Sequence, residues 1–381
     1  MERTLYDADH EEFRQVVATL AERTILPNLE RYIDEKVIGR EVWQEAGKQG
    51  ILGLEVPDEY GGNLVNDWRF NAVVNEETAK VSMGVNSCFG IHFDITMPYL
   101  VDLGTPELKQ RLLPDLAAGE KICGIGMTEP SGGTDLAALK TTAVLDGDTW
   151  VLNGSKTFIT NGYGAEVVVV AARTSPGRGA HGISLLVVEE GMPGFERGRK
   201  LDKVGQSESD TAELFFNDVR VPAENLLGEE GNGFIYMMER LVQERLSCSV
   251  SNLAHARATL DDTIEYAKER QAFGKPIGTF QHLKFLLAEQ DTKLDVTQAY
   301  LDWCVTAKNN DTLTPTDAAK AKWWSSDIQN QVIDACVQVF GGYGYMNEYR
   351  VARAWRDARV TRIWAGSNEI MKELIGRDLG L

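Results

Sequence analysis

The sequence predicts an α+β protein with an N-terminal α-helical domain at 1–120, a central antiparallel β-barrel domain at 121–229 and a C-terminal four-helix bundle at 230–381. Apolar residues recur at the helical period in the first part, and the period changes to two in the central part. The helical period returns after the Gly-Asn-Gly turn at 231–233. The composition, 43% apolar and 25% charged, is that of a globular protein. A chain of 381 residues is long enough to form two or three domains, each with its own hydrophobic core.

The N-terminal domain is predicted by helical spacing in two segments, FRQVVATLAERTILPNLERYI and VWQEAGKQGILGL. Pro27, Pro57 and Pro98 separate the helices, because proline lacks the amide donor that a helix interior needs. We therefore expect several helices before Gly119.

The central domain is predicted by short runs of alternating or apolar residues, which are TTAVL, TWVLN, KTFIT, EVVVVAAR, GISLLVVEE and TAELFFNDVRV. Asp146-Gly147 and Asn153-Gly154 are dipeptides typical of two-residue hairpin turns. Consecutive hairpins produce an antiparallel meander, which predicts a small barrel.

The C-terminal domain is predicted by long helical patterns joined by short loops, a combination typical of an up-down bundle. The predicted helices are Phe234–Arg270, Phe280–Lys308, Thr316–Phe340, Glu348–Ile363 and Asn368–Ile375. Gly376 is expected to end the last of them, since glycine is common just after a helix.

Charge and cysteine content exclude several classes of function. The formal net charge of −18 repels nucleic acid and anionic membrane surfaces. The sequence has no apolar run of 18 residues, and its first residues lack the layout of a signal peptide, so we expect a cytoplasmic protein without a membrane span. The five cysteines are scattered, which predicts reduced thiols. The five histidines lack metal-ligand spacing, which predicts no metal site.

The common nucleotide and hydrolase motifs are missing. The sequence contains no G-x-G-x-x-G placed between a strand and a helix and no G-K-[ST] phosphate loop, which disfavours a nicotinamide or ATP enzyme. It also lacks the G-x-S-x-G elbow of serine hydrolases.

A carboxylate occupies the apolar stripe of a predicted helix. Counting by helical steps from Glu244 leads back to Leu241 and Met237 and forward to Cys248. Burial raises the pKa of a carboxyl group toward neutrality, which suits a general base. Pairing with Arg240 one turn earlier, or with another buried cation, is the structural alternative, and the spacing alone does not decide between a base and an ion-pair partner.

Six motifs identify a family when taken together. They are IGMTEPSGGTD, FITNG, KVGQSESDTAELFFNDVRVPAENLLGEEGNGF, ERQAFGKPIGTFQ, VQVFGGYGY and RIWAGSNEIMKEL, in that order. With EVPDEYGG at 55–62, the chain resembles the acyl-CoA dehydrogenase family over nearly its whole length. The strings AKWWSSDIQNQV and SNEIMKEL are most similar to the long-chain branch.

The resemblance implies an FAD enzyme that oxidises a fatty acyl-CoA to the trans-2-enoyl-CoA and passes electrons to an electron-transfer flavoprotein. It also implies a homotetramer built as a dimer of dimers. The residues that would approach the flavin ring or its phosphates are Ile125, Met127, Thr128, Thr134, Phe158 and Thr160. Those that would reach the FAD of a neighbouring subunit are Arg270, Phe273, Gln281, Gln338, Gly341 and Gly342. Ser367 and Glu369 begin the last helix, where free amides could meet the polar half of FAD.

The catalytic base departs from the commonest pattern of the family. Most members carry it in a Tyr-Glu-Gly-Thr segment, which here reads Trp364-Ala365-Gly366-Ser367. The long-chain and isovaleryl-type branches place a glutamate on the bundle helix instead, at the position of Glu244.

The resemblance assigns the remaining substrate contacts to four positions. The amide of Ala365 would donate to the thioester oxygen beside Gly366, Arg245 would lie near the CoA part, and Thr134 would contact either the FAD phosphates or the CoA end.

Several alternatives stay open at this level. We expect medium- to long-chain substrates, although branched or short acyl-CoAs fit the same position of the base. A flavin-dependent oxidase or monooxygenase, or a non-enzymatic binding relative, would have the same fold. The net charge argues against a relative that binds DNA. The presence of Glu244 argues against a catalytically inactive subunit.

Overall fold

The N-terminal part of the computed structural model, which describes residues 3–175 and 179–381, consists of helices. They are α1 (Ala8–Leu20), α2 (Leu29–Glu35), α3 (Arg40–Lys48), α4 (Arg69–Val81), α5 (Met83–Phe89), α6 (Met97–Leu103) and α7 (Pro106–Ala117). A π-helical segment, Gly90–Thr96, joins α5 to α6. Side-chain caps fix two of the helix starts, because Ser82 accepts from the amide of Val85 and Thr105 accepts from the amide of Leu108.

The central part of the chain is a mixed sheet. Its strands are β1 (Cys123–Gly126), β2 (Thr142–Asp146), β3 (Thr149–Thr160), β4 (Val167–Arg173), β5 (Ile183–Glu189), β6 (Phe195–Lys200), β7 (Thr211–Pro222) and β8 (Leu226–Leu227). The pairing order among the described residues is β6-β7-β3-β2-β4-β5-β8, and β1 pairs with β4. The pairs β2–β3, β4–β5 and β6–β7 are the expected antiparallel hairpins. However, β1 and β2 each pair with β4 in parallel, so the sheet is not purely antiparallel.

One of the two predicted hairpin turns is wrong. The chain does turn after Asp146, but Asn153 and Gly154 lie inside β3, where the pairing with β7 shifts register. The side chain of Asn153 donates to Asp218 Oδ1 across this bulge at 3.0 Å. Gly154 is required there because a Cβ would lie 2.5 Å from Thr141 Oγ1. An Asn-Gly pair therefore marks a bulge as well as a turn.

The C-terminal part returns to helices. They are α8 (Gly233–Glu269), α9 (Gln281–Asn309), α10 (Pro315–Phe340), α11 (Arg350–Ala358) and α12 (Asn368–Asp378), with a short hairpin of β9 (Gln271–Ala272) and β10 (Lys275–Pro276) after α8. Gly376 lies within α12, so the predicted helix end is wrong by about one turn. Between these helices lies a core of apolar side chains, among them Leu246, Leu253, Leu294, Leu301 and Val332. The α+β fold class is therefore confirmed.

The π-helical segment Gly90–Thr96 connects the sheet to the bundle. It packs against both β1 and α8. His92 Nδ1 lies 3.1 Å from the amide of Cys123 on β1, and Asp94 accepts from Gln243 Nε2 on α8 at 2.8 Å. This segment thus brings the end of β1 and the middle of α8 to one region of the molecule.

Candidate active site

Glu244 is a buried carboxylate in the middle of α8, with only 7% of its surface exposed. Tyr99 Oη on α6 donates to its Oε1 at 3.3 Å. Burial raises the pKa of Glu244 to about 7, and the Asp94 charge acts in the same direction. The Tyr99 hydrogen bond and the Arg245 and Arg240 charges oppose that rise. A carboxyl group with this pKa can accept a proton near neutral pH.

Arg240 is not the ion-pair partner of Glu244. Arg240, one turn earlier on α8, forms its ion pair with Asp102 of α6 instead. The apolar stripe predicted for α8 is present, since Met237 and Leu241 are buried with Glu244. Glu244 is therefore a buried acid that accepts a hydrogen bond from a neutral phenol.

The loop Trp364–Ser367 is held beside Glu244 by two cations. Arg245 Nε donates to the carbonyl of Ala365 at 3.5 Å, and Lys322 Nζ on α10 donates to the carbonyl of Gly366 at 2.6 Å. Ala365 and Gly366 both have positive φ, at 51° and 88°. The predicted residues Glu244, Arg245, Ala365 and Gly366 therefore lie together in the structure.

Tyr99 and Lys322 were missed by sequence reasoning. Lys322 is fully buried, and Ala318, Ser325 and Ser326 at helical spacing from it are buried as well. Counting by helical steps, as was done for Glu244, would have placed this lysine on the buried face of its helix. For Tyr99 no local pattern indicates that its hydroxyl meets an acid on a distant helix.

The residues expected around the flavin ring lie at the adjoining ends of β1 and β3. The amide of Thr157 donates to the carbonyl of Thr128 at 2.9 Å, which places the segment after β1 against β3. The end of β1 and the segment directly after it contain Ile125, Met127 and Thr128. The end of β3 contains Phe158 and Thr160. Below them, Lys156 Nζ donates to Met127 O at 3.2 Å and pairs with Glu129 at 2.8 Å.

This corner fits a flat aromatic cofactor. Phe158 has a φ of 59° and is 69% exposed, so its ring is available to cover a ligand. Thr128 and Thr160 are half-buried polar groups beside it. Apolar surface with a few fixed donors is what a redox ring requires. Thr134 lies exposed in the following loop, whose Gly133 would place a Cβ 3.2 Å from Thr128 Cγ2.

The residues expected to meet a neighbouring subunit's FAD form a second, exposed group on the bundle. Arg270 lies 5.5 Å from the ring centre of Tyr343, next to Gly341 and Gly342. Neither glycine would have a heavy atom within 4 Å of an added Cβ, so the backbone there is open to a ligand. Phe273 is 96% exposed. The remaining members, Gln281 at the start of α9 and Gln338 near the end of α10, are exposed too.

The start of α12 carries the last two candidate residues. Ser367 occupies the cap position of this helix, and Glu369 lies in its first turn on the surface. Hydrogen bonds from its own amide and from Ser367 hold the pKa of Glu369 below its usual value. A carboxylate stabilised in this way accepts a proton poorly near neutral pH, which favours Glu244 over Glu369 as the base.

A buried polar cluster lies next to the base, around Asp94 of the π-helical segment Gly90–Thr96. Asp94 Oδ1 accepts from Trp68 Nε1 at 3.1 Å, from Asn71 Nδ2 at 2.9 Å and from Gln243 Nε2 at 2.8 Å. Its Oδ2 accepts from Asn75 Nδ2 at 3.0 Å and from the hydroxyl of Ser247, one turn after Glu244. This wall of the site is polar rather than apolar.

Three further findings concern metals, thiols and membranes. Residues 3–175 and 179–381 contain no group of three or more His, Cys, Asp or Glu side chains placed to bind a metal ion. All five cysteines belong to these ranges and are free thiols, as predicted. Within the same ranges, no helix has the length and apolar character needed to cross a bilayer.

Models of known protein families match three consecutive parts of the chain. The acyl-CoA dehydrogenase N-terminal domain matches residues 7–120, the middle domain of the same family matches residues 124–219, and the C-terminal domain matches residues 231–380.

Individual relatives cover almost the entire chain. The chain is 44% identical to the mitochondrial long-chain specific acyl-CoA dehydrogenase of Sus scrofa, over 99% of this chain and 88% of that protein. It is 36% identical to the mitochondrial isovaleryl-CoA dehydrogenase of Solanum tuberosum, over 98% and 91%. The crystal structure of an acyl-CoA dehydrogenase from Geobacillus kaustophilus superposes with a TM-score of 0.97 at 43% identity and covers 100% of both chains.

Proposed function

Because the chain belongs to the acyl-CoA dehydrogenase family, we propose that it oxidises an acyl-CoA thioester to the trans-2-enoyl-CoA with Glu244 as the base. It is an oxidoreductase, and FAD is its cofactor. The observation that carries the proposed role of Glu244 is its position, buried beside the Ala365–Gly366 loop with a pKa of about 7.

In the proposed reaction Glu244 Oε accepts the proton from Cα of the thioester. The negative charge that develops on the thioester oxygen is met by amide donors of the Trp364–Ser367 loop, the Ala365 amide foremost. Such a preorganised donor is worth about 3–4 kcal/mol in the transition state. Bound FAD supplies the oxidant that takes up the hydrogen and electron pair leaving Cβ. The burial of Glu244, which is 7% exposed, limits competition from water for the proton.

The exposed side chains described above are proposed to hold the cofactor. Met127, Thr128, Phe158 and Thr160 would contact the ring, and the guanidinium of Arg270 would meet a phosphate group of FAD in a second subunit. The support is the open surface at Phe158 and at Gly341. We propose that an electron-transfer flavoprotein reoxidises the enzyme. A cytoplasmic location stays a prediction, since the pig and potato relatives are mitochondrial.

The length of the acyl chain is the finer part of the proposal. Identity of 44% to a long-chain enzyme supports medium- to long-chain substrates. The polar cluster around Asp94 supports the second candidate, a short or branched acyl group, because polar side chains next to the base offer little apolar surface to a long alkyl tail.

Initial rates across a ladder of saturated acyl-CoAs, from short to long and including a branched member, test the proposed function. We expect enoyl-CoA formation with at least one member of the ladder and a single optimum of kcat/KM along it. An optimum at long chains would support the first candidate, whereas an optimum at short or branched chains would support the second. If the FAD-loaded protein oxidises no member of the ladder, the proposed function is wrong.

Replacing Arg270 with alanine is expected to lower both FAD content and tetramer content. The guanidinium stacks over Tyr343 at the exposed end of the bundle, where it is free to contact a second copy of the chain. Flavin absorbance and light scattering on the same sample measure the two quantities. Lys268→Ala is the matched control, because this exposed lysine of the same helix pairs only locally with Glu265. A stable monomer with full FAD occupancy would contradict the proposed two-subunit cofactor site.

A further inference from the structure

Lys322 is a buried cation without an acidic partner. Its side chain is fully buried on α10, between α8 and α12. Its Nζ donates to the carbonyl of Gly366 at 2.6 Å and to Asn368 Oδ1 at 3.1 Å, and both acceptors are neutral. Among the described residues no carboxylate lies within salt-bridge distance of this ammonium group. Burying an unpaired charge is costly, so its retention requires a reason.

The contrast with the other fully buried lysine is informative. Lys156 has the same burial, but Glu129 pairs with it at 2.8 Å and neutralises its charge. The charged groups that act on Lys322 are instead another cation, Arg245, and two acids that are not within ion-pair distance, Glu369 and Asp327. The site beside Glu244 thus holds two cations, Arg245 and Lys322.

Both cations act on the same loop. Arg245 donates a hydrogen bond to the Ala365 carbonyl, and Lys322 donates one to the Gly366 carbonyl. In a trans peptide the N–H opposite a carbonyl belongs to the following residue, so these two contacts orient the amides of Gly366 and Ser367. The amide of Ala365, one residue earlier, is positioned through the backbone that the two cations fix. A carbonyl bound to a cation also polarises its peptide group and strengthens the amide as a donor. These contacts hold Ala365 and Gly366 at positive φ.

We infer that Lys322 is a positioning residue that orients the Ala365–Gly366 loop and stabilises, through its buried charge, the enolate form of the bound acyl thioester. This inference rests on the proposed function of the same site. When the Cα proton moves to Glu244, one negative charge leaves the carboxylate and appears on the thioester oxygen. The number of charges in the site is unchanged. Arg245 also stabilises the ionised Glu244, whereas Lys322 contacts the loop and Asn368, so the charge of Lys322 favours the arrangement with the anion next to the loop.

The pKa of Lys322 is compatible with this role. Burial and, to a smaller extent, the Arg245 charge lower this pKa, and Cys248, Glu369 and Asp327 oppose the change. The resulting pKa is about 8. Because the folded-state pKa remains above 7, the ammonium form predominates at neutral pH and is lost as the pH rises through about 8.

A ligand that ionises without being oxidised tests the inference in the FAD-loaded enzyme. A 3-oxoacyl-CoA loses its acidic Cα proton to give an enolate with its own ultraviolet absorbance, so its apparent pKa on the enzyme can be read directly. In Lys322→Met we expect this pKa to rise by about one unit or more, a roughly tenfold loss of enolate stabilisation. Affinity for a saturated acyl-CoA should change by less than about threefold, because its carbonyl carries no full charge.

Two further variants separate charge from hydrogen bonding. Lys322→Arg keeps the charge and should restore much of the enolate stabilisation, whereas Lys322→Gln keeps a donor without the charge and should resemble Lys322→Met. Lys320→Met, at an exposed lysine two residues earlier, is the matched control and should behave as the wild type. If Lys322→Met does not fold, the comparison of Lys322→Gln with Lys322→Arg answers the same question.

The outcomes distinguish the inference from the function on which it rests. An unchanged enolate pKa in folded Lys322→Met or Lys322→Gln, with normal ionisation in the wild type, would overturn the inference and leave the proposed function intact. Equal losses in Lys322→Gln and Lys322→Arg would also overturn it, since only a general structural role would then remain. A wild-type protein that binds neither 3-oxoacyl-CoA nor saturated acyl-CoA would overturn the proposed function itself.

Discussion

Replacing Glu244 with glutamine is expected to lower enoyl-CoA formation by at least ~10²-fold while the fold and bound FAD are retained. Glutamine has nearly the same shape and can still accept the Tyr99 hydrogen bond, but it cannot take up a proton. The first measurement is the rate of product formation with the best substrate of the acyl-CoA ladder. The second is exchange of the Cα proton with deuterated solvent, which reports on the base directly.

The pH dependence of the wild type follows from the pKa of this group. Burial raises the pKa of Glu244 to about 7, so the carboxylate is the minor form at pH 6 and the major form at pH 8. The value of kcat/KM should therefore rise with pH through about 7, pass through a maximum between pH 7 and 8, and fall as the Lys322 charge is lost above about pH 8. In Glu244→Gln the rising limb should be absent.

Glu239→Gln is the matched control, because Glu239 is an exposed acid on the same helix. It should retain the wild-type rate and the wild-type pH profile. If Glu244→Gln exchanges the Cα proton at the wild-type rate, Glu244 is not the base, and Glu369 becomes the next residue to replace.

The helices and most strands were predictable because their signals are local. The 37-residue helix α8 was predicted to within one residue at each end, since apolar spacing and the turn before it agree. The parallel pairing of β1 and β2 with β4 was not predicted. The residue pattern of one strand does not show which distant strand pairs with it. Phe195–Lys200 was missed as a strand because none of its residues is fully buried and the run carries three cations.

The candidate base was predictable for the same reason as the helices, whereas its surroundings were not. Helical spacing alone placed Glu244 on the buried face of α8. Its partner Tyr99 is 145 residues away in sequence, and the contact exists only because α6 and the preceding π-helical segment pack against α8. The polar wall around Asp94 likewise gathers residues from three separate elements.

Moving the base to the loop is expected to restore part of the activity. Glu244→Gly alone should be as inactive as Glu244→Gln, and addition of Ala365→Glu should raise the rate severalfold or more. We propose that the two positions border one space, because Arg245, which follows Glu244 on α8, donates to the carbonyl of Ala365. Glutamate and alanine both carry a Cβ, so the positive φ of 51° at position 365 imposes no new kind of strain.

The relocated carboxylate is expected to have a lower pKa than Glu244. Arg245 and Lys322 both lie against the loop, and position 365 is less buried than position 244. The rising limb of kcat/KM should therefore move below pH 7, and the weaker base should keep the rate below that of the wild type.

Removal of the Glu244 side chain also enlarges the cavity, so the optimum of the acyl-CoA ladder should shift. Glycine in the helix costs about 1 kcal/mol, which a lower melting temperature of both Glu244→Gly variants would report. A double variant as inactive as Glu244→Gly, with normal FAD content, would show that position 365 does not face the Cα proton.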